Sequence, residues 1–350
     1  MSEPLGIRAP DPASPFAPGQ HIVLKNPVRA HFAAFIAGNA TICERVVQAG
    51  SAEGQTLILC GAGPTLRDHA AKWCPRGDQV WGCNSAMTWL HTHGYPVTHG
   101  FTIDQTPHML EEWATVPDVE YLLASTVHPH LVQLLQGVQR SITFFHNYVG
   151  IDARPVEYCT CGHDHVRESD GMAPTCAHCP CAAYEPRRMD YEDWLYIQLY
   201  PSTVRAGSGL NSVTRAIDVA LFMGFARIIV LGADCALRVS QPLPSGVVAG
   251  TPAFRRWLEE SVEMHADGGS AVASGATETT IDGVIDGRYW LTKPDMMITA
   301  VWLERWRRKL GRRLTLIGDT LPKALRDKPE AYLDRLPAMV DAHGNPLRLI

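Results

Sequence analysis

The strongest constraint on the fold is a regular alternation along the first half of the chain. Short apolar runs, Leu57-Ile58-Leu59-Cys60, Gln79-Val80-Trp81, Gly100-Phe101-Thr102-Ile103, Tyr121-Leu122-Leu123-Ala124 and Ile142-Thr143-Phe144-Phe145, are separated by stretches long enough for a crossover helix. Parallel strands require such crossovers, so the pattern predicts an α/β fold with a doubly wound, mostly parallel, Rossmann-like sheet. With 350 residues, 46% of them hydrophobic and 19% charged, the chain can bury the core of one large domain or two smaller ones.

Residues 1–20, with Pro4, Pro10, Pro12, Pro15 and Pro18, read as a flexible arm, and 21–55 as a helical N-terminal segment in which Phe32, Phe35, Ile36, Ile42, Val46 and Val47 recur at helical spacing. The first α/β half spans 56–150. A cysteine- and histidine-rich insertion occupies 151–190, the alternation resumes over 191–327, and 328–350 form a tail. In the second half, Asn211 caps a helix running to Phe222, and Ile228-Ile229-Val230-Leu231 is a buried strand. A strand–helix–strand unit follows, with Arg288 to Leu291, a helix Asp295 to Leu310, and Leu314 to Ile317. A further helix is expected around Ala253 to His265.

In open α/β sheets ligands bind beyond the carboxyl ends of the strands. The predicted ends are polar: Gly61-Ala62-Gly63-Pro64-Thr65, Asn84-Ser85, Asp104-Gln105, Ser125-Thr126, His146-Asn147 and Asp234. Gly61 and Gly63 let a backbone approach a bound group, Pro64 suits a helix start, and the N–H groups of a helix N-terminus favour a phosphate. No Gly-Lys-Ser/Thr follows, which excludes a P-loop, and Asn84 stands where a dinucleotide fold places its acid. A second glycine–helix junction, Gly207-Ser208-Gly209-Leu210-Asn211-Ser212, repeats the chemistry. Asp104 and Asp234 suit ribose contact, a magnesium ion or general-base work.

Five of the ten cysteines lie between Cys159 and Cys181. Cys159-Thr-Cys161-Gly-His163-Asp-His165 and Cys176-Ala-His178-Cys179-Pro-Cys181 form two knuckles of soft ligands that can close a tetrahedral, structural zinc site. The preferred set is Cys161, His165, Cys176 and Cys181, with Cys159 and Cys179 as alternates.

A formal charge of −5 gives no global positive field, so nucleic acid is not favoured as a partner. The start Met1-Ser2-Glu3-Pro4 lacks a secretory pattern, and Ala216 to Ala233 is broken by Asp218, Gly224 and Arg227, so no membrane span is expected. The expected location is cytoplasmic. The sequence does not fix an oligomeric state.

The run Leu-Ile-Leu-Cys-Gly-Ala-Gly-Pro-Thr-Leu from Leu57, the Cys83-Asn84-Ser85 strand end and the stretch Gly209 to Asp234 resemble the 6-hydroxymethylpterin diphosphokinase-like proteins of unknown-function family 115. Those proteins are similar in turn to motility-accessory-factor glycosyltransferases and to bacterial CMP-sialic-acid sialyltransferases. The resemblance covers roughly Thr56 to Ala324, with the zinc segment inserted. It implies a nucleotide-binding transferase whose pocket is lined by Gly61, Gly63, Pro64, Thr65 and Asn84. The sialyltransferases place Asn where this chain has Ala62, and a histidine base where it reads Trp290-Leu291-Thr292. A replacement base could come from Asp104, His146 or His265, and the sequence does not choose among them.

The expectation is a transferase that moves a glycosyl, phosphoryl or diphosphate group from a nucleotide or sugar-nucleotide donor to a hydroxyl acceptor. Ser85, Ser208, Gly209, Asn211 and Asp234 complete the nucleotide site, and Asp104 and His146 are the catalytic candidates. The competing class is a noncatalytic protein of the same fold that uses its zinc module for assembly or nucleic-acid contact.

Overall fold

The computed structural model describes residues 21–23, 30–42, 45–104, 116–148, 155–158, 166–167, 175–176, 187–190, 192, 195–196, 199–200, 205–206, 210–237, 239, 241, 244–247, 251–261, 281–285, 288–325 and 338–340. In chain order, β1 (His21–Val23) and α1 (Ala30–Ala40) precede β2 (Thr56–Cys60), α2 (Thr65–Trp73), β3 (Gln79–Cys83), α3 (Ser85–Thr92) and β4 (His99–Thr102). Then come β5 (Glu120–Ala124), α4 (Pro129–Gly137), β6 (Ser141–Asn147), β7 (Pro155–Tyr158), β8 (Val166–Arg167), β9 (Thr175–Cys176), β10 (Arg187–Asp190) and β11 (Arg205–Ala206). The remainder is α5 (Ser212–Phe222), β12 (Arg227–Leu231), α6 (Pro252–Ser261), β13 (Ile281–Ile285), β14 (Arg288–Thr292), α7 (Pro294–Leu310), β15 (Leu314–Leu316), α8 (Leu321–Ala324) and β16 (Ala338–Val340).

Eight strands form one sheet in the order β11-β6-β5-β4-β3-β2-β12-β15, and every pairing in it is parallel. The fold is α/β with a parallel, Rossmann-like sheet. Because a strand alternates faces, Leu57 and Leu59 of β2 pack with α1, α4, α5 and α7, while Ile58 and Cys60 pack with α2 and α3 on the other side. Both faces are covered, which is why the strands read as nearly continuous apolar runs. The helix expected from Asn211 forms as read: Asn211 Oδ1 accepts from the Thr214 N–H at 3.0 Å, and Val213, Ala216, Ile217 and Ala220 are buried.

Two regions differ from the sequence expectation. Arg288–Thr292 is a strand, but it pairs antiparallel with Ile281–Ile285, register Ile281 to Thr292, and stands outside the main sheet. The partner strand lies beside the Gly/Ser/Thr-rich stretch, where no periodic pattern marks it. His21–Val23, inside a segment read as helical, is a strand that pairs parallel with Ala338–Val340 of the tail. Three residues are too few for periodicity to register. No helix among the described residues is long and apolar enough to cross a membrane.

Candidate functional site

The chain leaves β2 in one direction, through β3, β4, β5 and β6 to β11, and then returns to place β12 on the opposite side of β2. That reversal is the topological switch point at which open α/β sheets form their ligand crevice. The turns leaving β2 and β12 meet there in direct contact. Gly61 N–H donates to Leu231 O and Gly63 N–H to Gly232 O, both at 2.9 Å. Asp234, 4% exposed, accepts on one carboxylate oxygen from the Thr65 hydroxyl at 2.9 Å and the Thr65 N–H at 3.2 Å. A Cβ on Gly63 would run into Asp234 Oδ2, and one on Gly61 into the Gly232 carbonyl. These glycines therefore serve a turn-against-turn closure. The positive end of α2, the expected phosphate cradle, receives a carboxylate from β12, while Pro64 occupies the cap position just before the helix.

One strand over, Asn84 ends β3 with φ 50° and ψ −130°, a backbone region costly for any side chain. Its N–H donates to Phe101 O of β4 at 3.1 Å, and its side-chain oxygen accepts from the Ser212 hydroxyl of α5 at 3.4 Å. The kink depends on Gly82, since a Cβ there would meet the Met87 backbone where α3 folds directly over β3. Asn84 and Ser85, both half-buried, thus stand at the crevice beside the N-terminus of α5. The Asn211 side chain is spent capping the Thr214 N–H, so Ser212 and Val213 present the remaining leading N–H groups of that helix. Ser208 and Gly209 lie outside the described residues.

Asp104 follows β4, half-buried, its N–H donating to Thr102 Oγ1 at 2.9 Å. Asp104 and Asp234 belong to the ends of β4 and β12, three strand spacings or roughly 14 Å apart. Among the described residues no group of three or more His, Cys, Asp and Glu side chains could hold a metal. The proposed zinc ligands Cys159, Cys161, His165, Cys179 and Cys181 lie outside the described residues, and of Cys176 only the backbone, in β9, is described. Cys83, adjacent to Asn84, is a buried thiol whose pKa burial pushes far up, so it is no nucleophile.

His146, a candidate base, points into the interior. It is 2% exposed, its Nδ1 lies 3.5 Å from Ser125 Oγ, and its Nε2 lies 3.8 Å from Glu192 of the post-insertion segment. Tyr196 stacks on the imidazole with ring centroids 4.3 Å apart. Asn147 Nδ2 reaches Thr126 Oγ1 at 3.5 Å beside this pair. Glu192, fully buried, is the residue that sequence reasoning missed. Its signal was the spacing of Glu192, Tyr196 and Tyr200, which sets a carboxylate in an aromatic helical stripe. His265 lies outside the described residues. Trp290, Leu291 and Thr292, where the sialyltransferase base would stand, are all buried, and Thr292 Oγ1 donates to Cys235 O at 2.5 Å.

No protein-family model and no curated protein matches the sequence. Among solved structures, the chain is similar to the MAf glycosyltransferase from Magnetospirillum magneticum AMB-1, at 12% identity and a TM-score of 0.47. The match covers 89% of this chain and 42% of that one, so the chain spans less than half the length of the protein it matches.

Proposed function

We propose that the protein is a nucleotide-dependent transferase, moving a glycosyl, phosphoryl or diphosphate group from a nucleotide donor to a hydroxyl acceptor. The observation that carries the reading is Asn84, held in a strained backbone conformation at the switch-point crevice and linked to the N-terminus of α5. Strain of this kind persists where the surroundings enforce it, and it collects at ligand sites. The resemblance of Leu57 to Leu66, Asn84 and the Gly209 to Asp234 stretch to the 6-hydroxymethylpterin diphosphokinase-like proteins supports the same reading.

In this proposal Ser212 and Val213 N–H groups, with the Ser208-Gly209 turn ahead of them, take the donor phosphate, and Asn84 and Ser85 orient the nucleoside. The Gly61 to Thr65 turn is the wall of the pocket, kept in place by Asp234. Asp104 is the group at the rim that can accept the proton of the attacking hydroxyl, with His146, buried beside Ser125, as the second candidate base. Holding the developing phosphate charge is the main catalytic demand for either group transferred. The four buried free thiols Cys60, Cys74, Cys83 and Cys235 support a reducing, cytoplasmic setting.

The insertion is proposed to fold around one structural zinc held by Cys161, His165, Cys176 and Cys181. Its described strands support this, because Tyr158 pairs with Arg187 and Val166 with Cys176 in two antiparallel pairs that flank the cysteine clusters. Metal analysis should return about one zinc per chain.

A thermal-shift screen of nucleotides and sugar nucleotides tests the main reading. A ligand at ~100 times its Kd stabilises the folded state by about 2.7 kcal/mol. The expected hit stabilises the wild type and not Asn84→Ala. Cleavage of a sugar nucleotide but not ATP, or the reverse, separates the two chemistries. Binding without turnover would favour the noncatalytic class, and no stabilisation by any nucleotide would sink the proposal.

A further inference from the structure

Two Asn-Ser pairs stand at helix starts in this chain, Asn84-Ser85 at α3 and Asn211-Ser212 at α5. Each asparagine is followed by the same small residue, so their local covalent chemistry is alike. Their backbones are not. Asn211 is extended, with φ −136° and ψ 172°, and its side-chain oxygen accepts from the Thr214 N–H at 3.0 Å. Asn84 has φ 50° and ψ −130°, close to the roughly +60° and −120° of the first central residue of a type II′ turn.

At such a ψ the Cα–Cβ bond eclipses the bond from the carbonyl carbon to the next nitrogen. The Asn84 side chain and the Ser85 nitrogen therefore lie on the same side of the main chain, and rotation about Cα–Cβ alone carries Cγ to that nitrogen. This is the backbone geometry of a five-membered succinimide ring. In helical or extended backbone, that of Asn211 included, the nitrogen is turned away and the chain has to distort before the ring can close. At Asn84 the distortion is built in: its N–H donates to Phe101 O and its C=O accepts from the Met87 N–H, both at 3.1 Å. The Ser212 hydroxyl donates to Asn84 Oδ1 at 3.4 Å, which draws electron density from Cγ. Ser85 is the first residue of α3, where the N–H is not used by the helix ladder, and both residues are half-buried, so solvent reaches the pair.

We propose that Asn84 is a site of self-modification, closing on the Ser85 nitrogen to a succinimide that water opens to aspartate or isoaspartate. The Ser85 nitrogen gives up its proton and bonds to Asn84 Cγ, the Cγ–Nδ2 bond breaks, and ammonia leaves. Water then adds to one of the two ring carbonyls. Attack at Cγ restores the normal peptide with an aspartate at position 84, and attack at the main-chain carbon gives isoaspartate. The sum consumes one water and releases one ammonia, with no change of oxidation state. Either product adds a negative charge to the crevice beside the N-terminus of α5, and isoaspartate also lengthens the main chain by one carbon between β3 and α3. The step needs no nucleotide, so the inference stands apart from the transferase reading.

The test ages the full folded chain in mildly alkaline buffer beside the same chain held in guanidinium, with digestion and mass spectrometry at intervals. In the folded chain the Asn84 peptide should gain the mass of an Asn-to-Asp exchange at least about tenfold faster than the Asn211 peptide, as aspartate and isoaspartate forms separable by chromatography. In guanidinium the two asparagines should convert at similar rates, and Asn84 more slowly than when folded. Hydroxylamine, which opens a succinimide, should cleave the aged folded chain after position 84. Ser85→Val, which crowds the attacking nitrogen, should slow conversion at Asn84 and leave that at Asn211 unchanged. Conversion of Asn84 slower in the folded chain than in guanidinium, or no faster than that of Asn211 in the folded chain, would overturn the proposal.

Discussion

Asp234 and Glu192 are both buried carboxylates at the C-terminal ends of the strands, on either side of the Asn84 crevice, and they are stabilised in different ways. Asp234 accepts two hydrogen bonds from Thr65 and sits at the positive end of α2, so its charge is met by fixed dipoles. Glu192 is opposed by the imidazole of His146 at 3.8 Å and enclosed by Tyr196. The first belongs to the closure between two sheet strands, and the second ties the segment after the insertion onto β5 and β6. A fold can thus close the strand ends on the two sides of Asn84 by unlike means.

Glu192→Ala should have the largest effect on that contrast, costing about 4 kcal/mol in chemical denaturation because it empties a fully buried position facing the His146 imidazole. Glu192→Gln, which keeps the shape and a polar contact, should cost less than half as much. Asp234→Ala should cost about 3 kcal/mol, since the Thr65 hydroxyl and N–H are left buried without an acceptor. Gly63→Ala should be comparably destabilising in the wild type and milder in the Asp234→Ala background, since the side chain it strikes is gone. Additive costs would mean that the clash with the Gly232 backbone dominates.

The N-terminal ends of the strands provide the pH-dependent counterpart. His99 has its pKa lowered to about 4 by burial, with Glu120 opposing the shift. The unfolded chain binds that proton near pH 6.5, so between pH 6.5 and 4 it holds more protons than the folded chain. Stability from this group is complete above pH 6.5 and is lost as pH falls toward 4, by roughly 3 kcal/mol. His99→Gln should flatten that limb of a pH–stability profile. The smallest effect carries the opposite sign: Asn84→Gly relieves a strained backbone and should stabilise by about 1 kcal/mol while weakening nucleotide binding.

These contrasts also explain what was legible in the sequence. The strands of the main sheet other than β11, and the Asn211 cap, were readable because each is written in a local repeat or a short motif; the two residues of β11 carry no such pattern. The polar strand ends were readable as a group, since topology gathers them at one edge. The partnerships were not. Thr65 and Asp234 are 169 residues apart in the chain, and nothing periodic links them. For the same reason Gly61 and Gly63 read as ligand glycines, when the structure shows that each also faces a neighbouring turn. His146 read only as a strand-end candidate base, since its cover, Glu192 and Tyr196, arrives from beyond the insertion.

The return of the chain from β11 to the side of β2 has a consequence for how the molecule is made. During synthesis β2 emerges early, can pair at once with β3, and presents its other edge to nothing until β12 follows. At ordinary elongation rates a gap of that length takes roughly 10–30 s. For that interval a nascent half-sheet rich in Leu and Ile carries an open central edge, and the turn at Gly61 lacks the carboxylate that closes it. The pairing of β2 with β12 therefore waits on the second half of the chain, and slow translation, truncation or a stalled insertion prolongs the interval in which that edge is exposed to aggregation.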